Sequence, residues 1–263
     1  MDLNLTGKNA LVGGASRGIG RAIAVELALL GASVTLVARS RELLLDVMGS
    51  LDRSSGQQHD LIEADYNYPD ELKTKVAEYL RRSGRIIHIL VNNTGGPPGG
   101  PALYAKPEEY VSAFTKHLIC NQLLAQLTVE GMKKSGYGRI INIISTSVKA
   151  PIRGLGVSNT VRGAVASWAK TLSFELGEYG ITVNNILPGF TMTERLDEII
   201  QDSVRKTGLH RDIVIENMQK QVPLQRFAKP DEIAAAAAFL ASPAAAYING
   251  INLPVDGGRL ESL

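Results

Sequence analysis

Residues Leu11 to Ala24 read Leu-Val-Gly-Gly-Ala-Ser-Arg-Gly-Ile-Gly-Arg-Ala-Ile-Ala. A short apolar run, Asn9 to Val12, leads into a glycine-dense turn and straight on into a helical pattern. Glycines at 14, 18 and 20 let the backbone turn tightly and approach a ligand with no Cβ in the way. The first amides of the following helix carry partial positive charge and would face a pyrophosphate. The spacing is Gly-x3-Gly-x-Gly, which differs from the Gly-x-Gly-x-x-Gly form of the dinucleotide fingerprint. Taken alone, such a turn also reads as an ordinary tight strand-to-helix connection. The rest of the chain decides between the two.

Working outward, apolar strand-like runs alternate with helix-length periodic segments, the pattern of a parallel sheet covered on both faces. The expected strands are 9–12, 33–38, 60–63, 86–91, 139–144, 182–187 and 251–255. The expected helices are 18–30, 40–50, 70–82, 107–134, 157–177, 193–205, 211–220 and 230–241. With no internal repeat and no low-complexity linker, the 263 residues read as one α/β domain.

Composition narrows the function classes. A formal net charge of +2 makes no case for nucleic acid. Apolar residues at 44% and charged residues at 21% are ordinary for a soluble globular chain. The single cysteine, Cys120, excludes an internal disulfide and suits a reducing compartment. It lies in an apolar helical stretch and reads as a buried spectator. The first residues do not resemble a signal peptide, and no apolar run approaches membrane-spanning length. The expectation is a cytoplasmic protein with no nucleic-acid, membrane or metal partner.

In an open parallel sheet, ligands collect beyond the carboxyl ends of the strands. After strand one stands the glycine loop, and after strand two Arg39-Ser40-Arg41. Strand three is followed by Asp65-Tyr66, and strand four by Asn92-Asn93-Thr94-Gly95-Gly96-Pro97-Pro98. Strand five is followed by Ser145-Thr146-Ser147, and strand six by Pro188-Gly189-Phe190-Thr191-Met192-Thr193. Six such segments on one edge exceed what turn chemistry requires.

These pieces, with Val183-Asn184-Asn185-Ile186-Leu187-Pro188-Gly189 and Pro254-Val255-Asp256-Gly257-Gly258, resemble the short-chain dehydrogenase/reductase family over nearly the whole chain. Among its members, those like 3-oxoacyl-acyl-carrier-protein reductase are the most similar in pattern. The resemblance implies a single-domain, seven-stranded, doubly wound Rossmann sheet and a nicotinamide cofactor. It also implies a homodimer or homotetramer built on helices 107–134 and 157–177 and on the last strand. By the same resemblance, Gly14, Ser16, Gly18, Ile19 and Gly20 line the pyrophosphate and ribose. Asp65 and the Tyr66 amide meet the adenine, and Asn93 and Gly95 pass behind its ribose. Pro188, Gly189, Thr191 and Thr193 hold the carboxamide. Asp65 also reads as a helix cap. Gly13 departs from the family pattern, which has threonine there.

An acidic residue at the end of strand two would bind the ribose hydroxyl of NAD. This chain has Arg39 and Ser40 there, and Arg17 in the glycine loop. Two arginines able to fork around a phosphate favour NADP(H) over NAD(H).

The family's chemistry uses Asn, Ser, Tyr and Lys. Ser145 falls in the serine position, Ser158 in that of the tyrosine, Arg162 in that of the lysine, and His117 in that of the asparagine. A serine hydroxyl is far too weak an acid to replace a phenol, and loss of general acid catalysis costs about 10²–10⁴ in rate. Arg162 keeps the positive charge beside the ribose but exchanges no proton. His117, with the ordinary pKa of imidazole, is the expected source of a proton through water to Ser158; it reads equally as a packed histidine. Lys149 and bulk water are the other candidates.

Residues 190–222 read as a substrate lid. The apolar stripes Leu196, Ile199, Ile200, Val204 and Ile213, Val214, Ile215, Met218 are expected to cap an apolar substrate, with residues 96–101 as the opposite wall. Lys149 and Arg153 flank that pocket, where they could meet an anionic group. Two functions stand: an NADP(H)-dependent oxidoreductase acting on a carbonyl or alcohol, or a former reductase kept as a cofactor-binding or assembly protein.

Overall fold

The computed structural model describes residues 1–262. Seven strands form one parallel sheet: β1 (Asn9–Gly13), β2 (Ser33–Ala38), β3 (Asp60–Glu63), β4 (Ile89–Asn92), β5 (Gly138–Ile143), β6 (Ile181–Pro188) and β7 (Asn252–Val255). Their order is β3-β2-β1-β4-β5-β6-β7. The chain winds outward from β1 to β3 and returns to β4 beside β1, so a crevice opens at the carboxyl ends of β1 and β4.

Helices cover both faces: α1 (Gly18–Leu29), α2 (Arg41–Ser50), α3 (Pro69–Ser83), α4 (Pro107–Phe114), α5 (Cys120–Ser135), α6 (Gly156–Leu176), α7 (Glu194–Thr207), α8 (Arg211–Gln219) and α9 (Pro230–Ala241). On one face, α1 and α9 bury Ala24 and Ala28 with Ala234, Ala237 and Ala238 in one core. On the other, Leu72, Val76, Leu124, Met132 and Ala169 from α3, α5 and α6 close over Leu11, Leu90 and Ile140. Burial on both faces explains why the strands read as continuous apolar runs.

Two boundaries moved. The run 86–91 was expected to be strand throughout, but pairing starts at His88, whose amide donates to Asn9 O at 2.8 Å. Ile86 instead meets α5, so close to Gly131 that a Cβ there would lie 3.2 Å from it. The helix expected over 107–134 is interrupted by a π-helical turn at Thr115–Ile119, which carries the buried His117.

Across the sheet runs a feature the sequence reading missed. Asn92, Asn142, Asn185 and Asn252 occupy matched positions on β4, β5, β6 and β7. Each carboxamide donates to the next, at 2.8 Å in all three steps. A buried amide is tolerated when hydrogen-bonded, and these bond one another in series, leaving the buried Asn92 Oδ1 at the start of the ladder with no partner among the described residues.

Candidate active site

A cavity of about 1290 Å³ lies along the carboxyl edge of the sheet. The glycine loop, Arg39-Ser40, Asp65-Tyr66, residues 93–97, Ser145, Ser158, Arg162 and residues 188–196 line it. Of the sequence-derived site residues, His117, Gly20, Lys149 and Arg153 do not line it; the others reach one surface.

The glycine loop is folded against β4. Asn93 Nδ2 donates to Gly13 O at 3.1 Å and to Gly14 O at 3.4 Å, tying together the strand ends at the crevice. Gly14 and Gly18 have left-handed φ of +56° and +52°, and a Cβ on Gly14 would lie 2.6 Å from Asn93 Nδ2. A Cβ on Gly20 would collide with Gly14 O. The N-terminus of α1 has no side-chain cap and no acidic residue in its first turn. By contrast, Ser40 caps α2 and Thr193 caps α7, accepting from Leu43 N at 3.5 Å and Leu196 N at 3.4 Å. Uncapped amides over a Cβ-free cradle fit a phosphate bridge, so the loop's residues suit the expected dinucleotide.

Gly13 is explained by packing. A Cβ there would collide with Tyr66 Oη and lie 2.8 Å from Asn93 O. The Tyr66 phenol is buried with no partner for its oxygen, and burial raises its pKa. Asp65, which could have capped a helix, instead accepts from the Asn67 amide and side chain at 2.9 and 2.8 Å.

At the adenosine end, Arg17 donates to both carboxylate oxygens of Glu194 at 2.6 Å, so the glycine loop is joined to the first residue of α7. Both side chains are more than half exposed. Arg39 is exposed and, among the described residues, has no ion-pair partner. No carboxylate stands at the end of β2.

At the inner end, Ser145 Oγ accepts from Ser147 N at 3.1 Å. Ser158 and Arg162 are one helical turn apart on α6. Arg162 is 8% exposed, and its Nη1 donates to Ile143 O at 2.9 Å. Burial, with Arg195 nearby, lowers its pKa to about 10, so it stays charged near neutrality. Arg195 was not singled out from the sequence. Its Nη2 donates to Pro97 O at 2.8 Å and its Nη1 to Glu198 at 2.9 Å, so it joins α7 to the facing wall.

His117 requires a correction. Burial, reinforced by the charges of Arg162 and Lys116, presses its pKa down to about 2. The ring stays neutral wherever the protein is folded near neutral pH, so the imidazolium on which the expected relay to Ser158 depended does not form. Its Nε2 is buried with no protein partner. Cys120 is fully buried and burial pushes its thiol up to about 12, in keeping with a spectator. The only tyrosine lining the cavity among the described residues is Tyr66, and its oxygen points into the core beside Gly13.

The lid is also corrected in part. Leu196, Ile200, Val214, Met218 and Phe227 form one core joining α7 and α8, with Phe190 set edge-on to Phe227 at 5.9 Å. The two stripes mostly bury each other; Leu196 and Ile199 reach the cavity, while Ile213 is exposed. The opposite wall is anchored by Gly100, whose amide donates to Gly154 O at 2.7 Å and whose carbonyl accepts from Gly156 N at 2.9 Å.

A doubly wound sheet with a glycine loop and an uncapped helix at its switch point is the architecture on which nucleotide-binding α/β proteins are built. Residues 14–259 match the family model described as enoyl-(acyl carrier protein) reductase. The chain belongs to the short-chain dehydrogenase/reductase family, a family of oxidoreductases. A 3-oxoacyl-[acyl-carrier-protein] reductase of Vibrio cholerae is 35% identical over 261 residues, covering 97% of this chain and 98% of that protein. The L-sorbose reductase of Gluconobacter frateurii, solved with NADPH and L-sorbose, superposes with a TM-score of 0.93 at 31% identity over the whole of both chains. A 7α-hydroxysteroid dehydrogenase solved with NADH and 7-oxo glycochenodeoxycholic acid gives 0.87 at 30% identity, over 100% of this chain and 98% of that one. No described helix is long and apolar enough to cross a membrane.

Proposed function

We propose that this chain is an NADP(H)-dependent oxidoreductase that reduces a carbonyl group or oxidises the corresponding alcohol. The observation that carries the cofactor choice is the exposed Arg39 at the end of β2, where no carboxylate stands to repel a 2′-phosphate. Arg17 lines the same cavity and is shared with Glu194. The NADPH complex of the L-sorbose reductase agrees with this choice, while the NADH complex of the steroid dehydrogenase shows that related proteins take either coenzyme. Reduced nicotinamide, when bound, supplies hydride. The chain's own part is to hold the carbonyl oxygen with the hydroxyls of Ser145 and Ser158, the latter one helical turn from the positive charge of Arg162. In this reading the chain is one domain with 190–222 as its lid, and it works as a dimer or tetramer. The exposed Val111, Phe114, Ile119 and Phe174 on the helices around α4, α5 and α6 would be covered there. A 3-oxoacyl thioester is the substrate the Vibrio relative suggests.

A second reading, a cofactor-binding or assembly protein without turnover, rests on the absence of a phenol facing the cavity among the described residues. Calorimetry with NADPH and NADH, followed by single-turnover nicotinamide absorbance against ketones and 3-oxoacyl thioesters, separates them. Tight NADPH binding with hydride transfer supports the first; binding with no transfer to any acceptor supports the second.

A further inference from the structure

Arg162 is a buried cation without a counter-ion. Among the described residues no carboxylate forms an ion pair with it. Its guanidinium has one carbonyl contact, Ile143 O, and its Nε is buried with no partner. Burying a charge without a partner of opposite sign is costly, so the charge is retained for something that arrives.

A second guanidinium reaches the same wall. The two meet at one segment of the wall: Arg162 Nη2 lies 3.7 Å from where a Gly96 Cβ would stand, and Arg195 donates to the carbonyl of Pro97. Arg195 uses Nη1 and Nη2 for Glu198 and Pro97 and keeps donors to spare from its five. Both arginines line the cavity. A dinucleotide supplies no counter-charge here: its phosphate cradle is the N-terminus of α1, the free arginine of that end is Arg39, and the ribose expected beside Arg162 carries only neutral hydroxyls.

Resting on the oxidoreductase reading above, and in place of the thioester that the Vibrio relative suggests, we propose that Arg162 and Arg195 form an anion subsite that takes a carboxylate borne by the substrate, so that the natural substrate is an oxo acid or hydroxy acid. Guanidinium forks match a carboxylate in geometry as well as charge. Arg195 sits on α7, so the same carboxylate draws the lid onto the wall at Pro97. The hydroxyls of Ser145 and Ser158 remain for the neighbouring carbonyl.

The test uses the full chain loaded with NADP+. Calorimetric titration with phenylacetate and with phenylacetamide, similar in shape and different in charge, reads the subsite directly. The carboxylate is expected to bind at least about tenfold more tightly than the amide. Arg195→Gln should bring that ratio close to one, and Arg195→Lys should restore part of it. With NADPH, phenylpyruvate should be reduced with a lower KM than its methyl ester, and Arg195→Gln should remove the difference. A ratio near one in the unaltered protein, no carboxylate binding, or a preference that survives Arg195→Gln overturns the anion subsite. No heat with NADP+ itself overturns the cofactor reading instead.

Discussion

Tyr66 fills the space that a side chain at position 13 would need: its phenolic oxygen lies inside contact distance of a Cβ built on Gly13. The glycine that departs from the family pattern is therefore matched to a bulky residue after β3. Gly13→Thr should destabilise the protein by about 1–3 kcal/mol through overpacking. Combining it with Tyr66→Val should recover part of that loss, since the approach to Asn93 O at 2.8 Å remains. Thermal melting of the two single variants and the double variant checks the coupling; simple additivity would show that the two sites are independent.

The asparagine ladder makes Asn142 a point of shared dependence. Asn142→Val strands the Asn92 amide group and the Asn185 carboxamide oxygen inside the sheet. Each unsatisfied group costs about 1–3 kcal/mol, so the variant should lose about 2–6 kcal/mol in urea unfolding. Asn252→Val, at the less buried end, should lose less.

His117 links stability to pH. Its folded pKa is held near 2 by burial and by Arg162 and Lys116, against 6.5 for the free side chain. Below pH 6.5 the unfolded chain takes up a proton that the folded chain refuses, so stability falls as pH drops from 6.5 toward 2. At pH 5.5 this amounts to about 1 kcal/mol. His117→Asn should lose less stability between pH 7.5 and 5.5 than the unaltered protein by about that amount. Equal losses would mean that the imidazole is solvated.

Coenzyme choice should turn on the adenosine end. Arg39→Asp is expected to weaken NADPH binding at least about tenfold and to improve NADH. Glu194→Gln should tighten NADPH by releasing Arg17 while shifting the melting temperature little, because an exposed pair is worth at most about 1 kcal/mol. Fluorescence titration of both coenzymes at two salt concentrations reads both effects.

Much of the site was legible because its signals are local. The glycine spacing marked the first turn, and the segments after the strands marked one edge; the structure brings these segments onto a single cavity. The asparagine ladder had a signal too, an Asn at matched points of four strands, but it becomes visible only once register pairs them. The lid stripes were read as apolar faces, yet periodicity gives no hint of whether a face meets a substrate or another helix. Here α7 and α8 mostly satisfy each other.

By itself the chain determined the parallel α/β order, the glycine cradle and the presence of arginines where a carboxylate could have stood. Those depend on residue spacing along one segment, and spacing is written in the sequence. Only the tertiary structure decided that His117 is neutral, that Glu194 shares Arg17, and that Arg195 stands beside Arg162. Desolvation and charge proximity are sums over residues far apart in the chain, and no local pattern encodes them.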